Sequence, residues 1–303
     1  MGRPLRDAPR RCYPDGLQAQ VEEYLRRLRF SEERLTRGLV EAMRYSLLAG
    51  GKRIRPVLAL ATARAIGRDE RELMALAAAL ELIHTYSLIH DDLPAMDDDS
   101  LRRGRPTNHV AFGEEVAILA GDALYAEAFL LVLTRQRGEP ANVLAAVAEL
   151  AAATGVDGMV GGQYLDVAGV HDDDPDVARS LRHTHELKTG RLIGASVECV
   201  LLIAGMDEST TTEYRAFAAE LGVLFQIVDD ILDVTGTDDA LGKPQGSDAR
   251  QGRRTYVTEF GLDGARELAL RSHRQARTSL AAAASSGAPE LEQITDFIFS
   301  RTS

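Results

Sequence analysis

The sequence predicts an all-α protein built as a single-domain helical bundle, and three observations support that prediction. Only 5% of the residues are aromatic and none is Trp, whereas Ala and Leu, which favour helices, are abundant. Apolar residues recur every three or four positions from Leu73 to Ile83 and again from Phe217 to Ile231, which is the spacing of one helical face. No alternating run is long enough to predict a strand.

The 303 residues show no internal repeat and no linker-like change of composition, so one domain is expected. Residues 1–16 are rich in Arg and Pro and lack an apolar segment, which indicates a frayed or disordered tail rather than a targeting peptide. Residues 17–303 then form the domain. The Gly- and Asp-rich segment 236–254 is predicted to be a long loop that closes over a ligand, binds it or is disordered.

Charge and cysteine content exclude several classes of function. A formal net charge of −11 argues against nucleic acid and anionic membrane surfaces as partners, so anionic substrates would need clustered basic side chains or a metal. Two cysteines, Cys12 and Cys199, provide neither a disulfide framework nor a cysteine metal site, which favours a reducing, cytoplasmic location. No apolar stretch of about eighteen residues is evident, so no membrane insertion is expected.

Two aspartate-rich segments are the main chemical signal. DDLPAMDDD runs from Asp91 to Asp99, and DDILD comprises Asp229, Asp230 and Asp233. Asp229 and Asp233 are four residues apart, so on a helix their like charges would lie about 6 Å apart and destabilise it unless a cation binds there. Oxygen ligands favour Mg²⁺ or Ca²⁺ over Zn²⁺. A solvated charge run would explain one cluster, but two clusters beside apolar helix faces indicate cation binding.

Basic residues accompany both acidic segments. GGKRIRP places Lys52, Arg53 and Arg55 after two glycines, which let the backbone approach a ligand. Arg102 and Arg103 follow the first aspartate cluster directly. Because a guanidinium can hold phosphate oxygens through two hydrogen bonds, this proximity of cations and carboxylates suggests a diphosphate held by both side chains and metal.

Six segments in chain order carry a family resemblance. They are GGKRIRP at 50–56, IHTYSLIHDDLPAMDDDSLRRGRPTNH at 83–109, GGQYLD at 161–166, KTG at 188–190, FQIVDDILD at 225–233 and LGKPQGSD at 241–248. With these segments the chain resembles the short-chain trans-isoprenyl diphosphate synthases of bacterial type, which include farnesyl and geranylgeranyl diphosphate synthases. The resemblance implies a polyprenyl synthase domain over 17–303, an all-α bundle with a deep central cavity, and a homodimer.

The resemblance also implies roles for individual residues. The expected ligands of three Mg²⁺ ions, for which Mn²⁺ is an expected substitute, are Asp91, Asp92, Asp97, Asp229 and Asp233. The expected binding residues for isopentenyl diphosphate are Lys52, Arg55, His84 and Arg103. Those expected around the allylic diphosphate and the developing cation are Arg102, Lys188, Thr189, Gln226 and Lys243. The residues expected to act in catalysis are Asp91, Asp97, Lys188, Thr189, Gln226 and Asp229.

One position departs from the family pattern. Arg253 stands after the second aspartate motif, where the family usually has Lys. The positive charge is retained there, whereas the reach and geometry of the side chain differ. Arg253 is therefore expected to bind substrate with altered geometry.

The implied reaction is a head-to-tail condensation of isopentenyl diphosphate with dimethylallyl or geranyl diphosphate. The allylic C–O bond breaks while metal ions and basic side chains stabilise the departing diphosphate. The main expected product is farnesyl diphosphate, because Tyr86 and Ser87, five and four residues before the first aspartate, lie where family members form the cavity floor. A tyrosine packed in the core is the alternative explanation of Tyr86.

Three other functions compete with this one. A geranylgeranyl diphosphate synthase would use the same site with a deeper pocket. A terpene cyclase usually lacks GGKRIRP and the full second aspartate motif. A regulatory subunit of a heteromeric synthase, which is not itself an enzyme, tends to lose aspartates from one cluster, and here both clusters are intact.

Overall fold

The computed structural model describes residues 13–169, 177–236 and 254–301. Within these residues all regular secondary structure is helical apart from one short hairpin, so the predicted all-α class is confirmed. The α-helices are α1 (Asp15–Arg27), α2 (Arg37–Leu47), α3 (Ile54–Ala65), α4 (Met74–Asp91), α5 (Asn108–Phe112), α6 (Glu114–Arg135), α7 (Pro140–Thr154), α8 (Met159–Ala168), α9 (Val177–His185), α10 (Arg191–Ala204), α11 (Glu208–Thr235), α12 (Tyr256–Ala283) and α13 (Pro289–Ser300). Two 3₁₀ turns, Arg34–Thr36 and Glu70–Leu73, precede α2 and α4, and a π-helical turn, Glu186–Gly190, joins α9 to α10.

Helix α4 lies at the centre of the bundle. It packs against α1, α2, α3, α6 and α10. Its residues are apolar on nearly every side and twelve of them are buried, as expected for a helix surrounded by other helices. It ends at Asp91, and Pro94, which disfavours a continued helix, lies in the turn that follows. The first aspartate motif therefore begins at the C-terminal end of the core helix.

A short hairpin follows that motif. Strand β1 (Leu101–Arg102) pairs antiparallel with β2 (Arg105–Pro106). Its two central residues, Arg103 and Gly104, have φ angles of 53° and 71°, which is the left-handed conformation that two-residue hairpin turns require. The hairpin turns Arg102 and Arg103 back toward the end of α4.

Helices α11 and α12 form an extensive antiparallel contact that carries the second aspartate motif. Asp207 caps the start of α11 by accepting a hydrogen bond from the Thr210 amide (2.9 Å), and Thr255 caps α12 through Thr258. A Cβ on Gly222 would lie 2.9 Å from the Cα of Gly190, so α11 and the π-helical turn approach backbone to backbone. This contact brings KTG beside FQIVDDILD.

The folded chain begins earlier than predicted. Tyr13 is 7% exposed, its ring contacts Phe297, and α1 starts at Asp15. The boundary of the predicted tail at residue 16 is therefore wrong for residues 13–16. The apolar face of α1, formed by Leu17, Val21 and Leu25, extends through Tyr13, which the Pro-rich context concealed. Residues 1–12 lie outside the described residues.

Among the residues that the structure describes, three helical segments are long and apolar enough to cross a membrane by length and composition alone. They are Glu70–Asp91, Glu114–Arg135 and Pro140–Ala168. The expectation that no such segment exists is therefore wrong. In the segment that contains α4, 72% of the most apolar window is buried inside the protein, which explains its composition. In the segment of α6 only 39% is buried, so this helix keeps an exposed apolar face.

Candidate active site

A cavity of about 960 Å³ opens between α4, α8, α11 and α13. Both aspartate motifs reach it, the first from the end of α4 and the second from the last turns of α11. The predicted site residues that line it are Arg55, His84, Tyr86, Ser87, Asp91, Arg102, Arg103, Lys188, Thr189, Gln226, Asp229 and Asp233. Residues from distant parts of the sequence thus meet in one place.

Five predicted site residues are placed differently. Asp97 lies beside the cavity, where its amide donates to the carbonyl oxygen of Asp91 (2.9 Å). Lys52 is exposed at the edge, close to the ring of the cavity-lining Phe297. Lys243 and Arg253, with most of the predicted loop 236–254, lie outside the described residues. Asp92 belongs to a separate ion pair.

Asp92 is buried and paired with Arg102. The Arg102 Nε donates to both carboxylate oxygens at 2.7 and 3.0 Å, and Nη2 lies 2.6 Å from Oδ1. Burial raises the pKa of Asp92, and the hydrogen bond from Arg102 opposes that rise. The predicted metal ligand therefore faces Arg102 and does not line the main cavity, because consecutive helical residues point about 100° apart.

Asp91, by contrast, faces the cavity. Burial raises its pKa to about 6, the charge of Lys188 opposes the rise, and the charge of Asp97 adds to it. A carboxylate held in this way is stabilised by any cation that binds beside it. The location of Asp91 is therefore suited to a metal ligand.

The second motif is organised by a chain of hydrogen bonds. The Thr189 hydroxyl donates to Gln226 Oε1 (3.0 Å), and Gln226 Nε2 donates to Asp230 Oδ1 (2.8 Å). The other oxygen of Asp230 accepts from the Tyr256 amide (2.7 Å). Asp230 is 2% exposed and fixes Gln226, whereas the adjacent Asp229 is exposed to the cavity.

Lys188 is held beside the cavity by α8. Its Nζ lies 2.5 Å from Asp166 Oδ2, the last residue of GGQYLD. A Cβ on Gly162 would lie 2.2 Å from the backbone nitrogen of Lys188, so only glycine allows α8 to approach the π-helical turn. These contacts give GGQYLD a structural role, namely to position the lysine of KTG.

The basic segment GGKRIRP, which spans the loop before α3 and the first turn of α3, divides its cations between structure and site. Arg53 has φ 54°, and its buried guanidinium contacts Glu22 (2.7 Å) and Glu81 (2.6 Å). Arg55 lines the cavity instead, and burial lowers its pKa to about 10, while Glu81 opposes that shift. Arg53 therefore anchors the loop, and Arg55 is available to a ligand.

His84 and Arg103 line the cavity together with Arg55, and these three side chains form its cationic wall. Burial, and then the positive charge of Arg55, lower the pKa of His84 well below its usual value, so the imidazole is neutral near pH 7. The Arg103 guanidinium donates to the carbonyl oxygen of Gly50. A Cβ on Gly51 would lie 2.7 Å from the guanidinium carbon, which explains the second glycine of the motif.

Tyr86 forms part of the cavity wall and also packs in the core. It is 9% exposed, and its ring meets Tyr125 edge to face with centroids 4.9 Å apart. Tyr125 contacts Phe129 in the same way at 5.1 Å. The two explanations of Tyr86, cavity floor and packed core residue, are therefore compatible. Ser87 lines the cavity and donates its hydroxyl to the His84 carbonyl oxygen (3.0 Å).

Several residues that line the cavity were not predicted from the sequence. Asp166 and Gln163 lie inside a recognised motif to which no role was assigned, and Arg254 follows the predicted Arg253 directly. Phe297 and Arg301 come from the end of the chain, where no motif signals them. Only the fold reveals that α13 closes one side of the cavity.

The carboxylates fit a divalent ion that shares its ligands with substrate. Among the described residues, no group of three or more His, Cys, Asp or Glu side chains could hold a metal by itself. Mg²⁺ commonly takes only one or two protein carboxylates and completes its shell with water and phosphate. Asp91 on one side of the cavity and Asp229 with Asp233 on the other provide such partial sets, with cations nearby for the remaining phosphate charge.

Comparisons with known proteins agree with this geometry. Residues 36–286 match the family model described as polyprenyl synthetase. The chain is 49% identical over 231 residues to a farnesyl diphosphate synthase of Geobacillus stearothermophilus, covering 76% of this chain and 77% of that protein. It is 44% identical over 259 residues to a chloroplastic geranylgeranyl pyrophosphate synthase of Capsicum annuum, covering 85% of this chain and 70% of that protein.

A solved structure is similar over almost the whole chain. A geranyltransferase of Helicobacter pylori, complexed with magnesium and isoprenyl diphosphate, has a TM-score of 0.84 and 32% identity, covering 94% of this chain and 95% of that one. The fold and the site thus define an isoprenoid synthase. The chain belongs to the polyprenyl synthetase family and is a prenyltransferase that elongates prenyl chains head to tail.

Proposed function

We propose that this enzyme condenses isopentenyl diphosphate with dimethylallyl or geranyl diphosphate in a Mg²⁺-dependent reaction and yields mainly farnesyl diphosphate. The observation that carries the proposal is that both aspartate motifs and the basic residues Arg55, Arg102 and Lys188 line one cavity. Such an arrangement suits a substrate with a highly charged diphosphate and a long apolar tail. Magnesium in the similar Helicobacter pylori structure supports the choice of metal.

The diphosphate end of the allylic substrate lies between the two aspartate sets. Asp91 and Asp97 on one side, with Asp229 and Asp233 on the other, would hold three Mg²⁺ ions, which Mn²⁺ can replace. The metal supplies positive charge that stabilises the leaving diphosphate. Lys188 and Arg102, both at the cavity, add hydrogen bonds to the same oxygens.

Carbon–carbon bond formation then needs a positioned alkene and a dry cavity. The allylic C–O bond breaks with its electron pair leaving on the diphosphate, and the double bond of isopentenyl diphosphate attacks the resulting cation. Loss of a proton to the departing diphosphate restores an alkene. Thr189 and Gln226 line the cavity and are hydrogen-bonded to each other, and the partial negative charge of their side-chain oxygens would stabilise positive charge there. Apolar lining residues such as Met159 and Phe225 exclude water.

Isopentenyl diphosphate is bound at the cationic wall. Arg55, His84 and Arg103 line that side of the cavity, and Lys52 lies at its edge. The neutral His84 offers a hydrogen bond without adding charge. GGKRIRP contributes basic side chains and no carboxylate, so direct contacts from those side chains would bind this diphosphate.

Product length depends on the wall at Tyr86. The Tyr86–Tyr125 ring contact places a rigid barrier across α4 and α6, which supports a fifteen-carbon product. A geranylgeranyl diphosphate synthase is the second candidate, and the Capsicum annuum relative carries that name. A purely regulatory subunit is disfavoured because both aspartate sets reach the cavity.

We also propose that the enzyme is a cytoplasmic homodimer that associates through α6. Leu119, Leu130 and Leu133 are 51–55% exposed and lie within about 60° of each other around the helix. An apolar helix face of this kind on a water-soluble bundle indicates a protein partner, and a second copy matches the family expectation. Light scattering after gel filtration should give about twice 32.9 kDa, and a monomer would contradict the proposal.

Turnover of radiolabelled isopentenyl diphosphate with geranyl diphosphate tests the proposed function. The enzyme should form farnesyl diphosphate, and removal of Mg²⁺ with a chelator should abolish that product until Mg²⁺ is restored. Dimethylallyl, geranyl and farnesyl diphosphates should be compared as primers. Mainly twenty-carbon product would favour the geranylgeranyl alternative. No turnover with any primer would contradict the proposed condensation activity.

A further inference from the structure

The segment 13–27 supports the basic loop that precedes α3. Three of its side chains contact three consecutive loop residues. These contacts join Tyr13 Oη to the Lys52 carbonyl oxygen (2.7 Å), Gln18 Nε2 to the Gly51 carbonyl oxygen (2.7 Å) and Arg53 Nε to Glu22 Oε1 (2.7 Å). Burial raises the pKa of Tyr13 well above its usual value, so its hydroxyl stays a donor at any physiological pH. The backbone of the loop is thus held from outside the motif.

The ammonium group of Lys52 lies over two adjacent aromatic rings. Its Nζ is 5.4 Å from the Tyr13 ring centroid and 5.3 Å from that of Phe297, and the two rings are 4.8 Å apart. A cation at this distance is attracted to the ring face. Tyr13 comes from the start of the chain and Phe297 from α13, so both ends of the fold meet at this lysine.

Phe297 connects this contact to the cavity. Its side chain lines the cavity wall, whereas Lys52 itself is an exposed residue at the edge. An unrestrained lysine loses rotamer freedom when it binds a phosphate, and a preorganised one loses less. The two rings therefore lower the entropic cost of using Lys52 as a ligand for an incoming diphosphate.

Neither ring belongs to the part of the chain that matches the family model, which covers residues 36–286. We propose that Tyr13 and Phe297 are positioning residues that hold Lys52 for the diphosphate of isopentenyl diphosphate. This inference rests on the proposed function, which assigns Lys52 to that substrate. The ends of the chain then set the affinity for one of the two substrates and leave the other unaffected.

Steady-state kinetics with both substrates varied test the inference. Tyr13→Leu and Phe297→Leu should each raise the KM for isopentenyl diphosphate roughly two- to fivefold, as expected from the loss of one cation–π contact. The KM for geranyl diphosphate should stay at the parental value and kcat should change less than the KM. Tyr13→Phe, which keeps the ring, should recover most of the affinity.

The control is Phe299→Leu. Phe299 lies on the same helix two residues further on, and its ring stacks on His273 with centroids 4.5 Å apart. The same substitution there should leave the KM for isopentenyl diphosphate unchanged. An equal rise in Phe299→Leu and Phe297→Leu would show a general effect of α13 and would overturn the inference.

A double-mutant cycle with Lys52→Met separates positioning from packing. If the rings act through Lys52, Phe297→Leu should add nothing to the KM of the Lys52→Met enzyme. Independent effects that multiply would overturn the inference. Because Tyr13 is buried, Phe297→Leu reports the same contact should Tyr13→Leu fail to fold.

Calorimetric titration with isopentenyl diphosphate keeps the two claims distinct. Turnover by the parent with parental dissociation constants in both leucine variants would overturn the positioning role and leave the proposed function intact. Absence of turnover by the parent would reject the proposed function. Weaker binding in Phe297→Leu but not in Phe299→Leu would support the role of the rings.

Discussion

The buried Asp92 and the partly exposed Arg102 form an ion pair in which Nε and Nη2 of Arg102 both lie within 2.7 Å of Asp92 Oδ1. The pair joins the end of α4 to the hairpin and fixes a guanidinium beside the cavity. The preceding Asp91 faces the cavity itself. Adjacent aspartates of one motif thus have different roles. Asp91 faces the cavity, and Asp92 binds a basic side chain.

Asp92→Asn should destabilise the fold and weaken binding of the allylic substrate. Removing one partner leaves the other charge unpaired, and because the Arg102 side chain is 27% exposed we expect a loss below the roughly 3–5 kcal/mol of a fully buried pair. Urea unfolding measures that loss, and the KM for geranyl diphosphate should rise as Arg102 moves. Asp92→Asn combined with Arg102→Met should recover part of the lost stability. Parental stability of Asp92→Asn would contradict this assignment.

Asp229 and Asp230 should give opposite signatures although they are neighbours. Asp230→Asn puts an amide donor against Gln226 Nε2 or the Tyr256 amide, so we expect a loss of about 1–3 kcal/mol in the free energy of unfolding. Asp229→Asn removes an exposed carboxylate and should keep parental stability while kcat falls at least about 100-fold, as for the loss of one electrostatic contact in a transition state. Measurements of unfolding and turnover on both variants test this division of roles. A stable but inactive Asp230→Asn enzyme would contradict the structural role of Asp230.

The sequence predicted much of this site because its residues lie in dense motifs. Asp91, Asp229 and Arg55 were expected at one cavity and line it. The direction of Asp92 depends on a hairpin whose Arg102 reaches back to it, and that contact has no local signature. Tyr13 was assigned to a tail because three prolines surround it. Its partner Phe297 is 284 residues away, and no local pattern reports a contact between chain ends.

Tyr86→Ala should lengthen the product toward twenty carbons. Removing the ring opens the space between α4 and Tyr125 that the edge-to-face pair now fills. Chromatography of dephosphorylated products measures the lengths, and Tyr86→Phe is the matched control because it keeps the ring. Unchanged chain length in the alanine variant would assign Tyr86 to core packing alone.

His84 should make the fold sensitive to acid. Burial, then the charge of Arg55, depress its pKa, so below pH 6.5 the unfolded chain takes up a proton that the folded chain does not. The stability that neutral His84 contributes is therefore present above pH 6.5 and is lost as pH falls, with a slope of up to about 1.4 kcal/mol per pH unit.

Unfolding between pH 7 and pH 5 measures this dependence. His84→Gln should flatten the decrease in the free energy of unfolding, whereas the same substitution at the exposed His183 should not. Equal pH dependence in the parent and in His84→Gln would show that this imidazole does not titrate differently in the two states.

The most direct test is anomalous diffraction from crystals soaked with Mn²⁺ and an unreactive thiolodiphosphate analogue of geranyl diphosphate. The predicted result is Mn²⁺ within about 2.2 Å of Asp91 and, separately, of Asp229, with oxygens of one diphosphate joining the ions. A diphosphate bound with metal at only one aspartate set, or metal bound away from both, would contradict the claim that the two motifs act together on one leaving group.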